Sequence, residues 1–312
     1  RDRIVSVHDP DMRHGRKSKA KRFDGHKAAV VVEPESQLIT AVTVLAGNAP
    51  DNSGVLQLVE ETEENTGLTV EETVGDCAYG DGNTRQEFAE AGRPLVAKVP
   101  GRPNRDHFPK EDFTIDVQLG ACTCPAGQES RRLLPATERG GRGGEEPRRR
   151  YFEFDGAVCS TCSLRPCCVA AAEGKGRRVS LHPQEALLQE ARAFQRSEAF
   201  EPYRNLRQAA EHRLARLVWL GIRQARYFGR AKTLFQVLLA ATVANLTLVA
   251  TKMRLMGIPI GHNHPLGPQI SSLLAIISNF LAIISSSLGR WQSVFSIGRY
   301  RLPFRVAFRP GF

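Results

Sequence analysis

Residues 28–45 read Ala28-Ala29-Val30-Val31-Val32-Glu33-Pro34-Glu35-Ser36-Gln37-Leu38-Ile39-Thr40-Ala41-Val42-Thr43-Val44-Leu45. The opening valine-rich run has the composition of a buried strand, and Gln37 to Leu45 is a second run rich in β-branched residues. Pro34-Glu35-Ser36 between them is turn chemistry, so the stretch predicts a hairpin. Downstream, Asp51 stands where it would cap a helix reaching about Glu64, and Val70 to Val74 predicts a strand that ends at Gly75-Asp76. Thr84 to Ala91 reads as a helix and Pro94 to Val99 as a strand. Hairpin, helix, strand, helix, strand is the order of a mixed α/β sheet.

From about Gly101 to Ser180 the regular pattern stops. This segment holds six of the seven cysteines and the run Arg139-Gly140-Gly141-Arg142-Gly143-Gly144, which has nothing to build a core from. It is expected to be a cysteine-rich insert containing a flexible basic loop. Helical periodicity returns from Pro183 to Gly221, with Leu206, Ala210, Leu214, Leu217 and Leu220 on one face, and a second apolar helix is expected from about Ala231 to Met253. The expected division is therefore 1–100 and 181–256 for one α/β domain, 101–180 for the insert, and 257–312 for an atypical tail. Within the tail, Ile270 to Leu288 carries no charge and is just long enough to cross a bilayer about 30 Å thick. Its serines and asparagine make a poor spanning helix, and an amphipathic packing helix or a tail without selected structure are the alternatives. No membrane association is expected.

The 312 residues allow one large domain or two ordinary ones. A net charge of +10 and a pI near 9.5 point to a polyanionic partner, nucleic acid ahead of an anionic membrane. The chain opens Arg1-Asp2-Arg3 without an initiator Met or a secretory signal, which reads as a fragment of a cytoplasmic protein. An odd number of cysteines in that setting favours reduced thiols and metal binding over disulfides.

Three places offer acids suited to phosphoryl transfer by two metal ions about 4 Å apart, chemistry that needs carboxylates on rigid elements. Asp76, in Gly75-Asp76-Cys77-Ala78-Tyr79-Gly80-Asp81, follows an apolar strand and begins a turn. Glu33 ends the first strand of the hairpin, with Glu35, Asp9 and Asp11 as neighbouring carboxylates. Glu211 shares a helix face with Arg207, four residues before it. Taken singly, Asp76 is better explained as a turn or helix cap and Glu211 as half of a solvated i,i+4 ion pair. Cys77 is expected to be a core residue beside Asp76.

Together, and in this order, these segments resemble the catalytic region of DDE-type bacterial insertion-sequence transposases, in the group named eleven-eighty-two. The resemblance spans about residues 6 to 253. It rests on Phe23-Asp24-Gly25-His26-Lys27, the hairpin, Gly47-Asn48-Ala49-Pro50-Asp51, the Asp76 motif, Tyr203 with Arg207 and Glu211, Arg226-Tyr227-Phe228-Gly229-Arg230-Ala231-Lys232, and Asn245. It implies a ribonuclease-H-like mixed sheet with flanking helices, Mg²⁺ or Mn²⁺ at Glu33, Asp76 and Glu211, and DNA contacts from Tyr203, Arg207, Arg226 and Lys232. It also implies DNA as partner, a homo-oligomer on that DNA, and a place at the bacterial nucleoid. The family pattern has Asp where this chain has Glu33, one methylene longer, so a decayed remnant that binds DNA without cutting it is the alternative.

The insert contains Cys122-Thr123-Cys124 and Cys159-Ser160-Thr161-Cys162, followed by Cys167-Cys168. Two close-spaced pairs separated by a loop are the sequence form of a tetrahedral Zn²⁺ knuckle. The resemblance selects Cys124, Cys159, Cys162 and Cys168 as ligands, with Cys122 and Cys167 as alternates. The basic stretches from Arg13 to Arg22 and from Arg148 to Arg150 are candidates to line the DNA path.

Overall fold

A computed structural model describes residues 3–17, 20–101, 106–135, 150–255 and 305–310. Along the chain run β1 (Arg13–Arg16), β2 (Arg22–Val32), β3 (Ile39–Ala46), α1 (Val55–Thr66), β4 (Glu72–Gly75), α2 (Gly82–Glu90) and β5 (Leu95–Ala97). Short elements follow: β6 (Thr114–Asp116), β7 (Ala121–Thr123), β8 (Glu129–Ser130), β9 (Leu133–Pro135), β10 (Arg150–Glu153), α3 (Gly156–Ser160), α4 (Arg165–Cys168) and β11 (Arg178–Leu181). The last elements are α5 (Glu185–Arg196), α6 (Glu201–Leu217), α7 (Arg230–Leu255) and β12 (Arg305–Pro310). The chain divides into two compact units, one of Arg1–Tyr79, Phe88–Ala97 and Phe200–Phe312, the other of Gly80–Glu87 and Lys98–Ala199.

In the first unit the predicted hairpin is β2 and β3, antiparallel from His26↔Ala46 to Val32↔Ile39. β2 explains its own composition. Ala28, Val30 and Val32 pack into one apolar cluster with Ala210, Leu214 and Leu217 of α6 and Val237, Ala241 and Ala244 of α7. Ala29 and Val31, between them, enter a second cluster with Val55, Leu58 and Val59 of α1. A strand whose successive side chains point to opposite faces reads as a continuous apolar run only when both faces are covered. The sheet is thus the middle of three layers.

The arrangement at the centre of that sheet was not legible in the sequence. β12 lies between β2 and β4, antiparallel to the first (Ala307↔Val32) and parallel to the second (Ala307↔Val74). β5 then pairs in parallel with β4, while β1 adds to the first half of β2. Val306, Ala307 and Phe308 are all at most 1% exposed and join both clusters, Ala307 on the α6 side and its two neighbours on the α1 side. So the last part of the chain contributes a central strand, although residues 257–312 were expected to be an atypical tail. The apolar run Ile270 to Leu288 lies outside the described residues.

Helix starts and ends differ from expectation by a few residues. α1 begins after Gly54, whose φ of +70° no other residue adopts freely, and Asp51 does not cap it. Asp51 instead takes an ion pair from Lys27 at 2.7 Å. α7 is the single described helix long and apolar enough to cross a membrane by length and composition. One of its faces, through Val237, Ala240, Ala241 and Ala244, is buried in the first-unit core.

The second unit carries two small antiparallel sheets, β6-β7-β8 and β9-β10-β11. Its core gathers Phe113, Ile115, Cys122, Phe152, Phe154, Cys168, Val179 and Leu181. Beside it Glu185, only 1% exposed, is ion-paired with both Lys110 and Arg192, so its buried charge is compensated.

Phe308 packs against Tyr79 with ring centroids 5.7 Å apart and is the largest side chain that β12 adds to the core. Phe308→Ala is expected to lower stability by about 3–5 kcal/mol. Truncating Leu255, 82% exposed at the end of α7, is expected to change it by less than about 0.5 kcal/mol. Urea unfolding of the two variants checks both values.

Candidate functional site

Asp76 follows the last residue of β4, at the same end of the sheet as the carboxyl ends of the two strands parallel to it, β12 and β5. Its Oδ1 accepts from the Ala78 amide at 2.8 Å and its carbonyl from the Tyr79 amide, so a tight turn fixes the carboxylate at the strand end. A glycine must precede it. A Cβ on Gly75 would stand 2.9 Å from Cβ of Tyr79, closer than side-chain carbons pack. Asp76 is partly exposed, whereas Cys77 is exposed, not the core residue expected from the sequence. The buried neighbour is Tyr79, whose hydroxyl is pushed well above the usual phenol range by burial and then by the charges of Asp76 and Asp51. Asp51 is therefore a second carboxylate acting on the same hydroxyl. Sequence reading assigned it to a helix cap, and the only signal for it was its place in Gly47-Asn48-Ala49-Pro50-Asp51.

Glu33 is not brought to this place. It follows β2, which runs antiparallel to β12 and hence to β4, so it lies at the level of Thr73 while Asp76 lies at the level of Val30. Three residues along a strand and two strand spacings across separate them by roughly 14 Å. The Glu33 carboxylate instead accepts from the Glu35 amide at 2.9 Å and from the Ser36 amide, closing the hairpin turn. Lys252 of α7 donates to the Ser36 carbonyl at 2.7 Å and holds the same turn from outside.

Tyr203 also belongs to the amino end of β4. Its hydroxyl donates to Oε1 of Glu72 at 2.8 Å, and Arg305 lies over its ring at 5.3 Å while ion-paired with Glu72 at 2.8 Å. Burial and the Glu72 carboxylate raise the Tyr203 pKa. Arg207 is half-buried on α6, and Glu211, Arg226 and Lys232 are exposed. Asn245 of α7 accepts from the Ile39 amide at 3.0 Å and donates to the Ile39 carbonyl at 2.8 Å, pairing with β3 as another strand would. Among the described residues no three His, Cys, Asp or Glu side chains are gathered as a metal site, so Glu33, Asp76 and Glu211 do not form one as they stand.

In the second unit, Cys124, Cys159, Cys162 and Cys168 line one cavity of about 30 Å³, together with Phe108, Phe154 and Arg177. Cys168 shows their proximity. Burial raises its pKa first, the Arg177 charge opposes this, and Cys159, Cys124 and Cys162 raise it further. Neither alternate lines the cavity: Cys167 is exposed, and Cys122 is fully buried on β7, where burial pushes its thiol up to about 12.

Residues 123–250 match the family model of the transposase DDE domain. The matched span contains these four cysteines, Tyr203, Arg207, Glu211, Arg226, Lys232 and Asn245, and begins after Asp76 and Glu33. Over that span the chain is similar to the transposase DDE domain, and the mixed α/β sheet with covering helices is compatible with the ribonuclease-H-like fold of such domains. No curated protein and no solved structure matches the chain.

Proposed function

We propose that this chain is the catalytic region of a bacterial insertion-sequence transposase of the eleven-eighty-two group, which cleaves the ends of its element and joins the freed 3′-hydroxyl to target DNA. The observation that carries the reading is the family match over α6 with Tyr203, Arg207 and Glu211, the loop with Arg226, and α7 with Lys232. In this reading residues 1–100 and 181–256 make a ribonuclease-H-like domain and 101–180 a cysteine-rich insert. The protein acts as an oligomer on DNA in the cytoplasm, at the nucleoid. Asp76 and Glu211 are the carboxylates assigned to Mg²⁺ or Mn²⁺, with Tyr203, Arg207, Arg226 and Lys232 on the DNA, and Glu33 stands at the first acid's place in the family pattern.

The described residues do not fit a three-carboxylate metal site, because Glu33 closes its own turn far from Asp76. No step of cleavage is therefore assigned to the metal here. That same position favours a second reading, in which the chain binds DNA without cutting it.

Cleavage of plasmid carrying the element's own ends, in Mg²⁺ or Mn²⁺, separates the two. The catalytic reading expects cleavage that falls roughly a thousandfold or more in Asp76→Ala and in Glu211→Ala, the effect of losing several kcal/mol of transition-state stabilisation. Glu33→Ala should lower it equally if Glu33 holds metal. Retained DNA binding with no cleavage by the native chain decides for the second reading.

We further propose that Cys124, Cys159, Cys162 and Cys168 hold Zn²⁺. The four thiols line one cavity of about 30 Å³ without being gathered at ligand distance, and four thiolates are the donor set of structural Zn²⁺, which would draw them together. Bound zinc would add folding energy to a unit built of strands two to four residues long. Purified chain is expected to release one zinc per molecule when its thiols are titrated with a mercurial, and Cys159→Ser or Cys162→Ser to release almost none. Cys167→Ser, at an exposed position off the cavity, should release as much as the native chain, and equal release by all three variants would remove the assignment.

A further inference from the structure

No Asp or Glu occurs from His212 to Phe312, and residues 212–255 within that stretch hold Arg213, Arg216, Arg223, Arg226, Arg230, Lys232, Lys252 and Arg254. Such a segment has no carboxylate of its own to neutralise its cations, so its field favours a polyanion. Three aromatic side chains stand out from the same stretch: Trp219 is 73% exposed, Phe228 63% and Tyr227 48%. A single exposed apolar residue needs no explanation. Three large aromatics within ten residues, interleaved with arginines, have the composition of a surface that tracks phosphates and stacks bases.

The geometry supports the same reading. α6 ends in a π-type turn, Val218–Ile222, broken at Gly221 with φ +94°, and this turn carries Trp219 outward. The guanidinium of Arg216 lies 4.3 Å from the centre of the Trp219 ring. One side of the indole thus has a cation, while most of the ring remains open to solvent. The loop that follows is held in place. Gln236 accepts from the Arg226 amide at 2.9 Å and donates to the Gln224 carbonyl at 3.0 Å, and Asp11 accepts from the Arg230 amide at 3.2 Å. His8 stacks on Phe228 at 6.0 Å. Tyr227 and Phe228 are therefore displayed from a fixed loop.

We propose that Trp219, Arg216 and the loop bearing Arg226, Tyr227 and Phe228 form a platform for unpaired DNA bases. A closed duplex presents its bases edge-on in the grooves and offers an indole ring no base face. Unpaired nucleotides at a cut or frayed end do. The inference rests on DNA being the partner, and it adds the state of the DNA that this surface takes.

The test uses the full chain with a fluorescein-labelled single strand, the matching duplex, and anionic lipid vesicles, followed by anisotropy and co-sedimentation. Trp219→Ala is expected to weaken single-strand binding by about five- to a hundredfold, the value of one stacked base, and to leave duplex binding unchanged. Trp219→Phe should restore most of the loss, which a merely structural role at a 73% exposed position would not require. In a Trp291→Phe background, Trp219 is the sole tryptophan, and its fluorescence should be quenched by the single strand more than by the duplex. Equal single-strand binding by native chain and Trp219→Ala overturns the platform and leaves the DNA reading intact. Binding to vesicles in preference to either DNA also overturns it, in favour of a membrane surface. Failure to bind either DNA form overturns the platform and the DNA reading together.

Discussion

The first unit depends on six residues from the far end of the chain. β2 and β4 have no ladder with each other; each pairs with Arg305–Pro310, one antiparallel and one parallel. Without that strand the buried amides and carbonyls of β2 and β4 would lose their partners in a region where water cannot replace them. The two apolar clusters would also lose Ala307 on one side and Val306 and Phe308 on the other. Arg305 adds an anchor at the strand's start through Glu72 and the Tyr203 ring. The sheet is therefore continuous only because a segment distant in sequence enters its middle.

This explains what the sequence could and could not reveal. The hairpin was legible because alternation and turn chemistry are local: Ala28 to Val32 alternates between two covered faces, and Pro34 to Ser36 permits the reversal. α6 and α7 were legible from apolar spacing, and Ala210, Leu214 and Leu217 are buried as that spacing requires. Strand order is not local. Arg305-Val306-Ala307-Phe308-Arg309-Pro310 is a short run between cations, closed by a proline, and nothing within it announces a central position. Glu33 shows the same limit at the level of a site. An acid at a strand end is easy to find, but which end of the sheet that strand reaches depends on whether it runs parallel or antiparallel to the strand bearing Asp76. Asp51 and Cys77 were misplaced for a related reason, since a cap and a core position are both local guesses that a Lys27 ion pair and an exposed turn override.

The second unit solves a different problem with little regular structure. Its strands are two to four residues long, and its core brings together aromatic rings, aliphatic side chains and cysteines. Arg177 links several pieces of it, donating to the Cys168 and Phe108 carbonyls at 2.8 Å each while lying 5.2 Å over the Phe113 ring. Spacing marked the cysteine pairs but left Cys122 and Cys167 open as alternates; the set Cys124, Cys159, Cys162 and Cys168, which lines one cavity, came from the resemblance. The burial of Cys122 was not, since it depends on β7 pairing with β6 and β8.

The two ends of the first unit's sheet have different chemistry. At the amino ends of β12 and β4 the polar groups are bound to one another: Glu72 is engaged by Tyr203 and Arg305, and the neighbouring Glu33 by its own turn. At the carboxyl ends, Asp76 remains partly exposed, and Asp51, ion-paired with Lys27, adds a second negative charge on Tyr79. Ligands of α/β sheets bind outside the carboxyl ends of parallel strands, where turns present side chains without obstructing the ladder. β12, β4 and β5 run parallel and share that end. Asp76 stands at that end, and any acid joining it would have to come from a segment that reaches the same end. Glu33 would meet that requirement only if β2 ran in the opposite direction.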